Sequence, residues 1–303
     1  MYNKDIKERY VKFRLDSSTL MEREIIRFFE ISRPIEEMFN KDLCNFTNKE
    51  IVEFYKFLNV VSLERLQSIH SQYSLYTSWC LNEHLVLDSQ NHYLELNVRD
   101  LEKLVNKKIL HKRIIDRETV LKWAEGLPNA RDSFCLLALF EYGKSKDFVD
   151  IWNLKISDIH EGYIRLSNRT VKASKTLINI AINAHETDEY YGSNGKVYTL
   201  KAGSNIYRDF HNTDEFVDGY QKGRRIYVGM TRCFKFLGVS DWMNINAVVV
   251  SGKLNMIERR AKELGMSAVE FVHSPYLKEV KEQYGDNKNA KWYMLKYGDY
   301  LEG

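Results

Sequence analysis

No glycine occurs before Gly126, and all 15 glycines of the chain lie from there onward. Glycine supplies the left-handed and tightly turned backbone that other residues avoid. A first part without it is held to regular elements joined by short polar links, and the residue pattern makes those elements helices. Thr47-Asn48-Lys49-Glu50 is a capping box, in which the Thr oxygen and the Glu carboxylate satisfy free amides at a helix start. The helix it opens puts Ile51, Phe54, Tyr55 and Leu58 on one face. Ser62 caps the next, where Leu66, Ile69, Tyr73, Tyr76 and Cys80 recur at steps of three and four. An earlier helix is expected over 18–31, ending before Pro34, and a short one over 98–105. Four helices with short links describe a helical bundle.

Residues 107–116 are basic, have little helical periodicity and end in Asp116, which suits an N-cap. At 303 residues the chain has room for two ordinary domains. It divides into a helical domain at 1–106, a basic linker at 107–116 and a mixed domain at 117–303. In the mixed domain Pro128 fits the first turn of a helix running to Gly143, with Phe134, Leu137, Leu139 and Phe140 as its apolar residues. Residues 162–168 and 176–183 alternate as half-buried strands do, with a basic loop at 169–175 between them, and a third strand is expected at 196–200. The acidic stretch 185–190 reads as a solvated loop. The remainder is helical, with Gly265 as a stop and Ser267-Ala-Val-Glu270 as a second capping box. The expected fold class is therefore mainly α with a small antiparallel sheet, in two domains.

Several functions are excluded early. No run approaches the ~18–20 apolar residues that span a bilayer, so no membrane partner is expected. Residues 1–14 are charged and lack the apolar core of a signal peptide. Cys44, Cys80, Cys135 and Cys233 form no CxxC pair and no zinc spacing, which makes them reduced, core-filling thiols of a cytoplasmic protein. The phosphate loop, the dinucleotide glycine motif, HExxH and GxSxG are all absent, and the eight histidines are scattered. No cofactor and no metal are expected.

The formal charge is only +3, but its distribution is uneven. Residues 1–14 carry +3, residues 99–117 carry +4 and residues 221–235 carry +5, leaving −9 for the rest. In 221–235 basic and aromatic residues mix at helical spacing: Arg225 and Arg232 share a face, as do Arg224, Thr231 and Lys235. Alone, such a stretch reads first as a solvated amphipathic helix whose apolar side packs on the core. Three basic stretches, one at a domain junction, favour a polyanion whose counterions are displaced on binding, and duplex DNA is the expected partner.

Leu127 to Gly143 followed by Trp152 to Ile159 resembles the first catalytic-domain block of the tyrosine recombinases, the ending Asn153-Leu-Lys-Ile-Ser-Asp-Ile159 most closely. The order of features also resembles that family: a helical core-binding domain, a basic linker, then a catalytic domain with a small sheet. The resemblance implies that two domains clamp duplex DNA. It also implies a chemistry in which two arginines and a histidine or tryptophan hold the phosphate, a hairpin lysine protonates the leaving oxygen and a tyrosine attacks phosphorus.

Carried onto this chain, the first arginine falls at Asp147, three residues before Asp150. The hairpin lysine falls at Lys172 or Lys175. The His-x-x-Arg positions fall at Asn246 and Val249, and the next histidine at Asp286. Tyr293 or Tyr297 occupies the nucleophile region, within a tail from Trp292 that also reads as a plain aromatic helix face. With the phosphate-holding groups replaced, no catalytic residue is expected. The pattern is similar to the catalytically degenerate lytic-cycle repressors of SPbeta-type Bacillus prophages. That resemblance implies a protein that binds operator DNA, blocks lytic genes and maintains lysogeny in a bacterial cytoplasm, at the nucleoid. It leaves room for self-association through the C-terminal helix and for a protein antirepressor. The expected DNA contacts are Lys107, Lys108, Lys112 and Arg113 in the linker, Lys144, Lys146, Lys172 and Lys175 on the former catalytic face, and Arg224, Arg225 and Arg232 on a second face. The alternative is an active, divergent recombinase using Tyr293 or Tyr297.

Overall fold

The capping signals place the first helices where the sequence puts them. Thr47 and Glu50 close their reciprocal box, and the Ser62 hydroxyl accepts from the Arg65 amide. The computed structural model describes residues 1–17, 21–210 and 218–303 and divides into two units, Met1–Leu110 and His111–Gly303. The first unit holds α1 (Lys4–Ser17), α2 (Glu22–Phe39), α3 (Asn48–Leu58), α4 (Leu63–Asn82) and α5 (Val98–Lys103). The short α6 (Lys107–His111) carries the boundary between the units, inside the stretch expected as linker. The first unit's core is aromatic: Tyr10, Phe29, Phe54, Tyr55, Tyr73, Tyr76 and Tyr93 are buried together. Tyr76 packs edge-on to Tyr10 and Phe29 at 5.0 and 4.9 Å.

Two helix assignments in this unit need correction. α1 was not expected, because its buried stripe contains only Tyr10, Val11 and a lysine. That lysine, Lys7, is fully buried and gives both of its 2.5 Å bonds to the Glu36 carboxylate. α2 does not end before Pro34 but runs through it to Phe39. Proline removes one backbone donor and costs ~3 kcal/mol inside a helix. Burial of Phe29 and Ile35, together with the Lys7–Glu36 pair, holds the turn beyond it. Residues 18–20 of the expected helix lie outside the described residues.

The second unit is built around α8 (Ala130–Tyr142), in which Arg131 to Phe140 are all buried. Its helix begins after Asn129, so Pro128 precedes the cap rather than occupying the first turn. α7 (Arg117–Gly126), capped by Asp116, packs on α8, and α9 (Val149–Trp152) follows it. Strands β1 (Ile159–His160), β2 (Tyr163–Arg165) and β3 (Thr170–Lys172) form an antiparallel sheet in that order, Tyr163 opposite Lys172 and Ile164 opposite Val171. The expected loop 169–175 thus contains β3: one buried Val171 between two exposed residues is too short a pattern to read as a strand.

The expected strand 176–183 is instead α10 (Lys175–Glu186). Ser174 caps it by accepting from the Leu177 amide, and Leu177, Ala181 and Ala184 form a helical stripe against α8. The isoleucines that suggested a strand lie off that buried stripe. β4 (Glu189–Tyr191) and β5 (Val197–Thr199) form a separate hairpin, so the acidic stretch is helix end and strand rather than loop. The Arg131 guanidinium lies 4.2 Å from the Tyr190 ring and 4.6 Å from Tyr207, fixing that hairpin to α8.

The last helices are α11 (Gly219–Phe236), α12 (Ile245–Glu263), α13 (Ala268–His273), α14 (Leu277–Tyr284) and α15 (Ala290–Leu301). Gly252 lets α12 touch the α8 backbone, since a Cβ there would sit 1.8 Å from the Phe140 carbonyl oxygen. The architecture is mainly α with small antiparallel sheets, as the sequence indicates. All four cysteines are buried free thiols, and no described helix is long and apolar enough to cross a membrane.

Candidate functional site

The C-terminal end of α8 is the hub at which the positions named from the sequence meet. The Glu141 carboxylate accepts from Ser174 Oγ (2.5 Å) and from Arg117 (2.9 Å), which brings in the start of α10 and α7. The Glu141 and Lys172 carbonyls both accept from Gln283 Nε2 (2.9 and 2.8 Å), and Gln283 Oε1 accepts from the Lys172 amide (3.0 Å). β3 and its lysine are therefore fixed to α14. Gly143 faces Tyr284 of α14 and Val249 of α12.

Asp147, at the expected arginine position, has left-handed backbone (φ +52°), as does Phe148 (φ +56°). Its carbonyl accepts from the Trp152 indole at 3.1 Å, and Gly223 of α11 packs directly on it. Asp150 is buried and pairs with an arginine that the sequence reading did not single out. Arg169, in the β2–β3 turn, places Nη1 2.9 Å from the Asp150 carboxylate and donates from Nη2 to the Tyr142 carbonyl at 3.3 Å. Asn246 is exposed and Val249 is buried. Asp286 holds the buried Lys253 of α12, also missed in the sequence. Burial, helped by the Lys288 charge, pushes the Lys253 amine down to about 8. Nothing local marks either pair, because the partners lie on different elements. Tyr293 is 0% exposed with no hydrogen-bond partner for its hydroxyl among the described residues, Tyr297 is 4% exposed, and burial pushes the Tyr293 phenol up. Both belong to the packed face of α15.

The expected DNA contacts are placed unevenly. Lys108 and Lys112 are exposed, Lys107 lies 4.0 Å from Glu102, and Arg113 is half-buried with its carbonyl accepting from Ser251. Lys144, Lys146, Lys172 and Lys175 are exposed. Lys144 leans on the Phe148 ring at 5.2 Å, and burial of its amine shifts it downward. On α11, Arg224 and Arg232 are exposed and in no ion pair with a described residue, whereas Arg225 lies 2.9 Å from the Asp209 carboxylate. The exposed face of α11 also carries Tyr220, Tyr227, Thr231 and Lys235. The N-terminal basic stretch is largely neutralised within its own unit: Lys7 on Glu36, Arg9 on Glu83 at 2.5 Å and Lys4 near Glu8 at 3.5 Å.

Residues 1–82 match the family model of the MrpR N-terminal core-binding domain, and residues 114–297 match that of the MrpR C-terminal catalytic domain. The chain is 21% identical over 212 residues to the SPbeta prophage-derived uncharacterized protein YopR of Bacillus subtilis (strain 168). That match takes in 65% of this chain and 62% of the relative's length. Among solved structures it is similar to a lambda integrase (75-356) dimer bound to a COC' core site, at 12% identity and a TM-score of 0.42, covering 97% of this chain and 94% of that one. A second is XerA recombinase, at 13% identity and a TM-score of 0.36, covering 98% of each chain.

Proposed function

The chain belongs to the MrpR family, a core-binding domain followed by a catalytic-type domain, and from that premise we propose that it binds double-stranded DNA in a sequence-specific way without exchanging strands. The observation that carries the reading is Asp147 at the place where recombinase chemistry needs an arginine. A carboxylate repels a phosphodiester, and losing one preorganised electrostatic group costs about 3–4 kcal/mol of transition-state stabilisation. Asn246, Val249 and Asp286 remove the remaining phosphate-holding groups, and buried Tyr293 and Tyr297 offer no exposed nucleophile.

What is left is a binder. Lys144, Lys146, Lys172 and Lys175 surround the former catalytic face and hold phosphates. Arg224 and Arg232 on α11, with Arg225 beside them, supply a second basic face that reaches phosphate or base edges. Lys107, Lys108, Lys112 and Arg113 track the backbone at the junction. The biological role is that of a prophage repressor, acting at operators in the host cytoplasm to keep lytic genes silent. Genome-wide recovery of bound DNA tests it. A repeated motif scattered among phage promoters supports repression, and a single attachment site supports a recombinase instead. With about six phosphates neutralised, log K falls against log salt with a slope of about −5.

A further inference from the structure

Four charged side chains in the second unit form two closed pairs beside one turn. Asp150 lies 2.9 Å from Arg169, and Lys253 is bound to Asp286. The Gly285–Asp286 turn sits against both cations: a Cβ on Gly285 would lie 2.6 Å from Arg169 Nη1, and Asp286 itself holds Lys253. Each cation is matched by one carboxylate, so the formal charges cancel. The Arg169 and Lys253 side chains are only 13% and 9% exposed. A phosphate reaching either cation has to displace a carboxylate and leave it poorly solvated and unpaired, a costly exchange. Lys146, Lys172 and Lys175, by contrast, are exposed and in no ion pair with another described residue.

We propose that Asp150 and Asp286 act as built-in counter-ions that withhold Arg169 and Lys253 from DNA, so that this face of the second unit contacts phosphate only through its exposed cations. The proposal rests on the DNA-binding reading and says which cations that binding uses. It also gives the face that carries the family's catalytic positions a present role. The two pairs tie the β2–β3 turn and α12 to α9 and to the end of α14, as a neutral strut rather than an anion site.

The test is the salt dependence of duplex binding by the full chain, for the wild type and for Lys172→Gln, Asp150→Asn/Arg169→Gln and Lys253→Gln/Asp286→Asn. Both double variants remove a pair without changing net charge. They are expected to keep the wild-type slope, whereas Lys172→Gln flattens it by about 0.9. A double variant that remains folded by circular dichroism yet flattens the slope by about 0.9 overturns the proposal. Should a double variant fail to fold, side-chain nitrogen-15 spectra of the unaltered protein decide. The Arg169 Nε–H resonance is expected to stay in place on adding duplex, and a shift overturns the assignment. Absence of any binding by the wild type overturns the DNA-binding reading itself, an outcome distinct from a flattened slope in a double variant.

Discussion

Lys7 and His92 show what single residues contribute outside the site. Lys7 is sealed in the first unit with Glu36, whose carboxylate also accepts from the Leu43 amide and the Ser32 hydroxyl. Lys7→Met leaves a buried carboxylate without its cation and is expected to cost about 3–5 kcal/mol. Replacing both partners by apolar residues is expected to cost much less; urea melts of the two variants check the difference. His92 faces Asp88 through Nε2 (2.9 Å) and Glu95 through Nδ1 (2.8 Å), and only the imidazolium donates to both. The Asp88 hydrogen bond, helped by Glu95, outweighs desolvation and holds its pKa above the ordinary 6.5. The stabilisation is complete below the unfolded-state pKa and fades as pH rises through the folded one. An NMR titration of His92 is expected to show a midpoint above 6.5; a midpoint at or below it contradicts the pairing.

Among the elements, α11 bears most directly on the proposed DNA contact. Its buried face is Gly223, Ile226, Met230, Cys233 and Phe234, which leaves Tyr220, Arg224, Tyr227, Thr231, Arg232 and Lys235 facing outward. Arg224→Gln/Arg232→Gln is expected to flatten the salt slope by roughly 1.8 with no loss of helix, read by fluorescence anisotropy and circular dichroism. An unchanged slope removes α11 from the interface. This helix was legible in the sequence because its stripe is long and local. The boxes at Thr47 and Ser267 were legible for the same reason. α10 was misread because its decisive signal was a single serine, Ser174, preceding a run of β-branched residues. The passage of α2 through Pro34 rests on tertiary contacts that no local pattern carries. So do the pairs Asp150–Arg169 and Lys253–Asp286. The replaced arginine position was visible at Asp147, but the cation that its neighbour Asp150 holds was not.

At the scale of the whole chain, the glycine asymmetry separates two kinds of packing. The first unit packs aromatic side chains between helices and needs no glycine. In the second, Gly223 and Gly252 let helix backbone press against Asp147 and Phe140, which draws together the elements that carry the family's catalytic positions. The basic stretches sharpen in the same way. The N-terminal one is largely consumed by internal pairs, while Lys108, Lys112, the lysines around α8 and β3 and Arg224 and Arg232 of α11 stay at the surface. The central claim, DNA binding without strand exchange, is tested most directly by one incubation of the full chain with nicked duplex from its own genomic neighbourhood, run on native and on denaturing gels. Binding alone predicts a retarded band on the native gel that disappears in detergent. A detergent-resistant adduct that is lost on Tyr293→Phe or Tyr297→Phe, or no retardation at all, would contradict it.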